Sequence, residues 1–187
     1  MNAYDLPTSL TIGGVGFPIR YNWRAVIDIL IACNDPELDS EGQAIAILQI
    51  MYPDWQKIPA DCIEEALRKA CDFIDCGQKD DGKPKPKMID WEQDASIIIP
   101  EINKVAHKEI RMNPDIHWWT FFGWFMGIGD GLLANVLHIR QKLSQGQKLD
   151  KWERDFYLEN KAMCDLERRY TAEEMKKIKD IEDWLKG

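Results

Sequence analysis

Residues 117–131 read HWWTFFGWFMGIGDG, with three tryptophans, three phenylalanines and four glycines in fifteen positions. On a wheel of 100° per residue, Trp118, Phe121, Phe122, Phe125 and Ile128 share one face. Trp119 and Met126 lie on one flank of that face and Trp124 on the other. The apolar arc spans about 220°, wider than the stripe a surface helix needs. A helix with so little room for water is expected at the centre of a helical domain. Its remaining side carries Thr120, Gly123 and Gly127, small residues that let another helix come close. Because glycine costs about 1 kcal/mol against alanine inside a helix, GIGDG is expected to end it. The apolar run stops at Asp130, short of the ~20 residues a membrane span requires. The flank residues Trp119, Trp124 and Met126 are the candidate partner anchors, since aromatics and methionine are enriched at interfaces.

Toward the C-terminus, LLANVLHIRQKL continues with helical period and stops near Gly146. Asp150 and Glu153 have the spacing of a capping box for KWERDFYLENKAMCDLERRY, and Thr171 with Glu174 for the last helix. In that last helix Met175, Ile178, Ile181 and Leu185 form a narrow apolar edge. Ile178, Ile181 and Leu185 therefore join the candidate partner-binding set. Upstream, Asp90 is expected to cap a helix over WEQDASIIIPEINKVAHKEIRM, with Pro100 kinking or restarting it.

The N-terminal part begins with SLTIGGVGFPIR, two short apolar runs around a glycine-rich turn, which predicts a β-hairpin. Its glycine spacing is neither GxGxxG nor that of a phosphate loop. Asn22 is placed to cap WRAVIDILIAC, and Asp39 or Ser40 a helix ending before Pro53. A third helix is expected from Pro59 to Cys76, stopped by Gly77. Residues 77–87, GQKDDGKPKPK, favour extended chain and mark a linker. The expected architecture is mainly α: a short N-terminal β-hairpin followed by two small helical bundles joined by a Lys/Pro linker. The segments are 1–76, 77–87 and 88–187.

With 24 basic against 32 acidic residues the net charge is −8. That balance argues against nucleic acid, which calls for a dense positive footprint. The first residues lack the basic start and apolar run of a signal peptide. Five cysteines without CxxC spacing read as reduced thiols packed in a core. The three histidines, His107, His117 and His138, show no metal-binding spacing, and no catalytic constellation emerges. The expectation is a protein that is not an enzyme, with no cofactor and no metal.

Four segments add a resemblance. DLPTSLTIGGVGFPIRYNWRAVIDIL, MIDWEQDASIIIPEINKV, HWWTFFGWFMGIGD and IRQKLSQGQKLDKWERDFYLENKAM follow one another in this order. Together they resemble the bacteriophage family called gene product fifteen, found in long-tailed phages and prophages of Gram-positive bacteria. The most specific parts are the DWEQDA helix start, the His-Trp-Trp opening and Ile139–Arg140. The resemblance covers nearly the whole chain. It implies a role in tail morphogenesis, most directly as an assembly chaperone that binds the tape-measure protein before the tail tube polymerises. Other tail assembly proteins and a second copy of the chain are further expected partners. It implies the host cytoplasm as the site of action and absence from the mature virion. The alternative it leaves open is a structural connector retained in the tail.

Overall fold

The computed structural model describes residues 4–78 and 86–186, and side chains as far as Ile181. Strands β1 (Ser9–Ile12) and β2 (Val15–Pro18) form the hairpin, paired antiparallel with Ile12 opposite Val15 and Leu10 opposite Phe17. The two turn residues, Gly13 and Gly14, both have positive φ, 54° and 80°. That is the geometry whose twist matches a tight two-residue hairpin. Side chains hold the hairpin down: Gly13 N–H donates to Glu65 at 2.9 Å, and the Lys69 ammonium donates to the Thr11 carbonyl.

The helices that follow are α1 (Trp23–Ala32), α2 (Ser40–Met51) and α3 (Ile63–Ile74). The caps fall as expected. Asn22 accepts the Ala25 N–H and Asp39 the Gly42 N–H, each satisfying a donor that a helix start leaves unpaired. The third helix begins later than Pro59, because residues Ala60–Cys62 form a 3-10 turn before the α-helix proper. It ends where Cys76 and Gly77 turn left-handed.

Beyond the linker come α4 (Ala95–Ala106), α5 (Trp118–Met126) and α6 (Leu132–Ser144). They are followed by α7 (Lys151–Glu159), the single turn α8 (Lys161–Cys164) and α9 (Ala172–Lys186). Residues 79–85 of the expected linker lie outside the described residues. Pro100 sits inside α4 without breaking it. Proline removes one bond, to Ser96, and both residues are on the exposed side, where water replaces it. The helix stops at left-handed His107 rather than running on to Met112. Asn103 explains the stop: its side-chain oxygen Oδ1 accepts the Ile110 N–H at 2.9 Å and holds the chain in a 3-10 turn, Ile110–Met112.

The helix expected from Lys151 to Tyr170 is cut short. Its start is the capping box, with Asp150 accepting the Glu153 N–H and Glu153 the Asp150 N–H. It ends at Asn160, whose side-chain amide donates to Phe156 O at 3.0 Å, and the turn α8 that follows is held at its end by Arg140 on α6. The guanidinium donates to the Met163 carbonyl at 2.6 Å and the Cys164 carbonyl at 3.0 Å, and the chain leaves α8 extended.

One hydrophobic core unites residues from both sides of the linker. Ile12, Val26, Met51 and Phe73 come from the first segment, and Ile98, Trp118, Phe121 and Ile139 from the second. The starts of α1 and α5 are stitched by an antiparallel bridge between Asn22 and His117. There Trp118 N–H donates to Tyr21 O at 2.7 Å and Trp23 N–H to Ile116 O at 2.9 Å.

Arg140 forms a two-pronged pair with Asp94, at 2.6 and 2.8 Å, and both side chains are buried. Its remaining N–H groups go to Met88 O, Met163 O and Cys164 O. Removing one partner of such a pair leaves a buried charge uncompensated, at about 3–5 kcal/mol. Arg140→Met is therefore expected to lose that much stability in urea denaturation. The double variant Arg140→Met/Asp94→Leu should lose markedly less than the sum of the two single changes.

Candidate functional site

The aromatic stretch is where the chain places most of its unusual chemistry. His117 occupies the N-cap of α5: its Nδ1 accepts the Trp119 N–H at 3.1 Å. Because Nδ1 is an acceptor, Nε2 carries the hydrogen and donates to the Pro7 carbonyl at 3.0 Å. The ring stacks on Tyr21 at 5.3 Å and is met edge-on by Phe73 at 5.6 Å. Burial holds its pKa below the ordinary histidine value, partly offset by the bond to Pro7.

The two tryptophans that follow cap a different helix. Trp118 Nε1 donates to Ile74 O at 2.7 Å and Trp119 Nε1 to Phe73 O at 2.8 Å. Both carbonyls belong to the last turn of α3, where a helix leaves its acceptors unpaired. Trp118 is fully buried, against Phe121 at 5.5 Å and Trp91 at 6.1 Å. Phe121 in turn stacks on Trp23 of α1 at 4.9 Å, nearly parallel. The His-Trp-Trp opening is thus a seam that fastens the first segment to the second.

The candidate anchors separate across this geometry. Trp119 is half-buried, and its indole is committed to Phe73. Trp124 is half-exposed, with the Lys108 ammonium 4.8 Å above its ring. Met126 is 64% exposed at the end of α5. Between them Gly123 faces solvent, and a Cβ built there would meet nothing within 4 Å. Gly127 differs, since a Cβ there would sit 3.3 Å from Val105 of α4. On α9, Ile178 is half-buried and Ile181 is 58% exposed, while Leu185 lies beyond the described side chains.

Sequence reading did not find the polar cluster at the start of α4. Asp90, nearly buried, accepts from Lys87, Arg169 and the N–H groups of Glu92 and Gln93. Burial alone would raise its pKa; these donors outweigh it and hold the carboxyl well below the usual range. Glu153 is likewise pulled down to about 2, by Lys142, the Asp150 N–H and His138. Burial pushes up the thiols of Cys33 and Cys164, and that of Cys76 to about 12, so these cysteines pack as neutral groups. Among the described residues no group of three or more His, Cys, Asp or Glu is placed to hold a metal ion. None of the described helices is long and apolar enough to cross a membrane.

These features define a mainly helical protein with an N-terminal hairpin, closed by an indole-capped seam and carrying apolar residues on two outward helix faces. The chain belongs to the Bacteriophage Gp15 protein family, whose model matches residues 3–166. Comparison with curated proteins and with solved structures gives no match.

The histidine seam carries a pH signature. An unfolded histidine takes up a proton near pH 6.5, whereas folded His117 resists it until lower pH. The unfolded state then binds more protons, so stability falls as pH drops from about 6.5 toward the lowered folded value. The carboxylates Glu109 and Glu153, held near 2, lose their contribution only in a lower window, from about 4.5 down. His117→Asn keeps a side-chain cap without the titration. Urea denaturation of both proteins at about pH 7.5 and 5.5 should show a decline in the parent that the variant lacks.

Proposed function

We propose that this protein is a non-enzymatic tail assembly factor: a chaperone that holds the tape-measure protein soluble until tube subunits polymerise around it. Family membership supports the phage setting. The fate of the buried ionisable groups supports a role without chemistry. Arg140 is engaged by Asp94, Asp90 by Lys87 and Arg169, Glu153 by Lys142 and His138, and Glu101 by Lys104. His117 is held by Trp119 and Pro7. Each of them holds the fold in place.

The observation that carries the reading is Gly123. A glycine in a helix interior costs about 1 kcal/mol against alanine. Among the described residues nothing fills or needs the space beside it. On either side lie a half-exposed Trp124 and a largely exposed Met126. A bare backbone strip flanked by an aromatic and a methionine accepts a second helix at close range, the helix-in-groove mode of recognition. A tape-measure protein is a long helical polypeptide whose apolar faces need temporary cover. Modest affinity suits a chaperone that the growing tube must displace.

Gly123→Ala should stabilise the isolated chain by about 1 kcal/mol, raising its melting temperature by about 2–4 °C. Gly123→Leu and Met126→Asp should leave the circular dichroism spectrum native. In co-expression with the tape-measure protein of the same phage, the parent chain should keep that protein in the soluble fraction. Both variants should let it pellet. If Gly123→Leu protects as well as the parent, the outer face of α5 is not the docking surface.

A further inference from the structure

The DWEQDA segment that leads into α4 forms a groove, and a later part of the chain lies in it. Beyond Cys164 the chain leaves α8 extended at Asp165 and carries no helix until Ala172. Gln93 reads the backbone of this strap. Its side-chain amide donates to the Asp165 carbonyl at 2.8 Å, and its oxygen accepts the Glu167 N–H at 3.0 Å. A further bond, to the Ala162 carbonyl at 3.3 Å, holds the amide against α8. In an extended chain the C=O of one residue and the N–H two residues on point the same way, and a parallel strand pairs with both. The Gln93 amide thus stands in for one peptide unit of a neighbouring strand, a pairing that is blind to side chains. Further along, Arg169 Nη2 bonds Asp90 Oδ1 and Glu92 Oε2, each at 2.8 Å.

The charges of the groove do not balance without the strap. Asp90 is 2% exposed, and Lys87 answers its other oxygen at 2.8 Å. One lysine faces two carboxylates, so a second cation is needed, and Arg169 supplies it. The strap itself is lightly held. Among the described side chains Cys164 is the last that belongs to the hydrophobic core. Its other ties are the Tyr157 O–H to Asp165 at 2.9 Å and the Ala172 N–H to Glu37. Polar contacts at the surface are the ones a chain opens most cheaply. A cavity of about 350 Å³ stays open between groove and strap, lined by Asp90, Glu92, Gln93, Glu167 and Arg169. The three groove residues fall within the family match, whereas Glu167 and Arg169 lie past its end at residue 166.

We infer that Asp90, Glu92 and Gln93 form a recognition site for an extended, arginine-bearing segment of a partner protein, which residues 165–169 fill as a displaceable stand-in. The strap defines what fits: a carbonyl and the N–H two residues on, paired with the Gln93 amide, then an arginine two residues further in the carboxylate pair. Backbone bonds supply affinity that any extended segment can share, and the arginine selects among segments. Because the strap competes, the partner's apparent affinity is lowered by the fraction of chains whose groove is closed.

The test uses the full chain and three labelled peptides. One has the sequence of residues 165–171, one keeps only Arg169 on a threonine–valine background, and one is the strap sequence with Arg169→Ala. The full chain carrying Arg169→Ala has a loosened strap. Fluorescence anisotropy should show the first two peptides binding it alike, and about tenfold tighter than they bind the parent chain. The third peptide should bind neither chain. Adding Gln93→Ala to the loosened chain should abolish binding while the circular dichroism spectrum stays native. Equal binding with and without the arginine overturns the inference, as does failure of the first two peptides to bind the loosened chain at about 1 mM. So does binding of the strap sequence alone, or a dimer of the parent chain that Arg169→Ala dissociates, since the site then serves only this chain. None of these outcomes involves the α5 face, so the two readings fail separately.

Discussion

The pairing of Arg140 with Asp94 is the constraint on which the second half of the structure turns. A guanidinium has five N–H groups in a rigid fork, and here each has an acceptor: two carboxylate oxygens and three backbone carbonyls. A buried ion pair is favourable only when its remaining hydrogen-bonding capacity is also satisfied. That condition fixes four pieces of chain at once. Asp94 sets the start of α4, Met88 the segment leaving the linker, Met163 and Cys164 the end of α8, and α6 carries the arginine itself. A lysine could supply the charge but not the planar fork, so charge alone would not hold these strands of backbone in register.

The aromatic stretch works by a comparable logic at the boundary between the two segments. A helix end buried against another helix leaves carbonyls that need donors. Tryptophan offers a large apolar surface with one N–H at its rim, so it can seal the core and cap at once. Trp118 and Trp119 do this for α3, while His117 caps the helix they belong to. The seam thus joins α3 and α5 through side chains from three consecutive positions. Trp91, from the turn that precedes α4, packs on Phe125 at 5.3 Å and on Trp118 at 6.1 Å and so adds that turn to the same seam.

Local features were the ones legible in the sequence. The hairpin turn, the caps Asn22 and Asp39, the box at Asp150 and Glu153, and the apolar arc of α5 depend on residues within a few positions of one another. What the sequence hid depends mostly on distant partners. Asn160, whose amide donates to Phe156 O at 3.0 Å, is a local stop for α7 that the periodic pattern around it concealed, and the end of α8 depends on Arg140 on another helix. Asn103 ends α4 by reaching seven residues ahead, a bond that helical periodicity does not register. Asp90 was expected to cap α4, yet it holds the turn before it and the helix starts after Asp94; the pairing of Asp94 with Arg140, 46 positions away, had no local sign beyond the family landmarks at residues 90–95 and Ile139–Arg140. Trp119 lay on the flank of its helix, where a wheel cannot tell an indole reaching solvent from one reaching a carbonyl of α3. Gly123 was legible as a small residue, but its sequence neighbours do not tell that no described residue occupies the space beside it in the fold.

The positions that hold the fold and those that face outward are physically separable, and that has a consequence for how such a protein can change. Gly123 and Met126 lie on a solvent-facing side of α5, whereas Trp118 and Phe121 of the same helix are buried. Substitutions that do not disturb buried packing or hydrogen bonds alter stability little, so residues on the outer face can vary without endangering the seam beneath. The freedom is greater still for α9, none of whose residues with described side chains belongs to the buried core. A chain built this way keeps one packed centre, fixed by the Arg140 pair and the indole caps, while the residues on its outward helix faces can change without disturbing it.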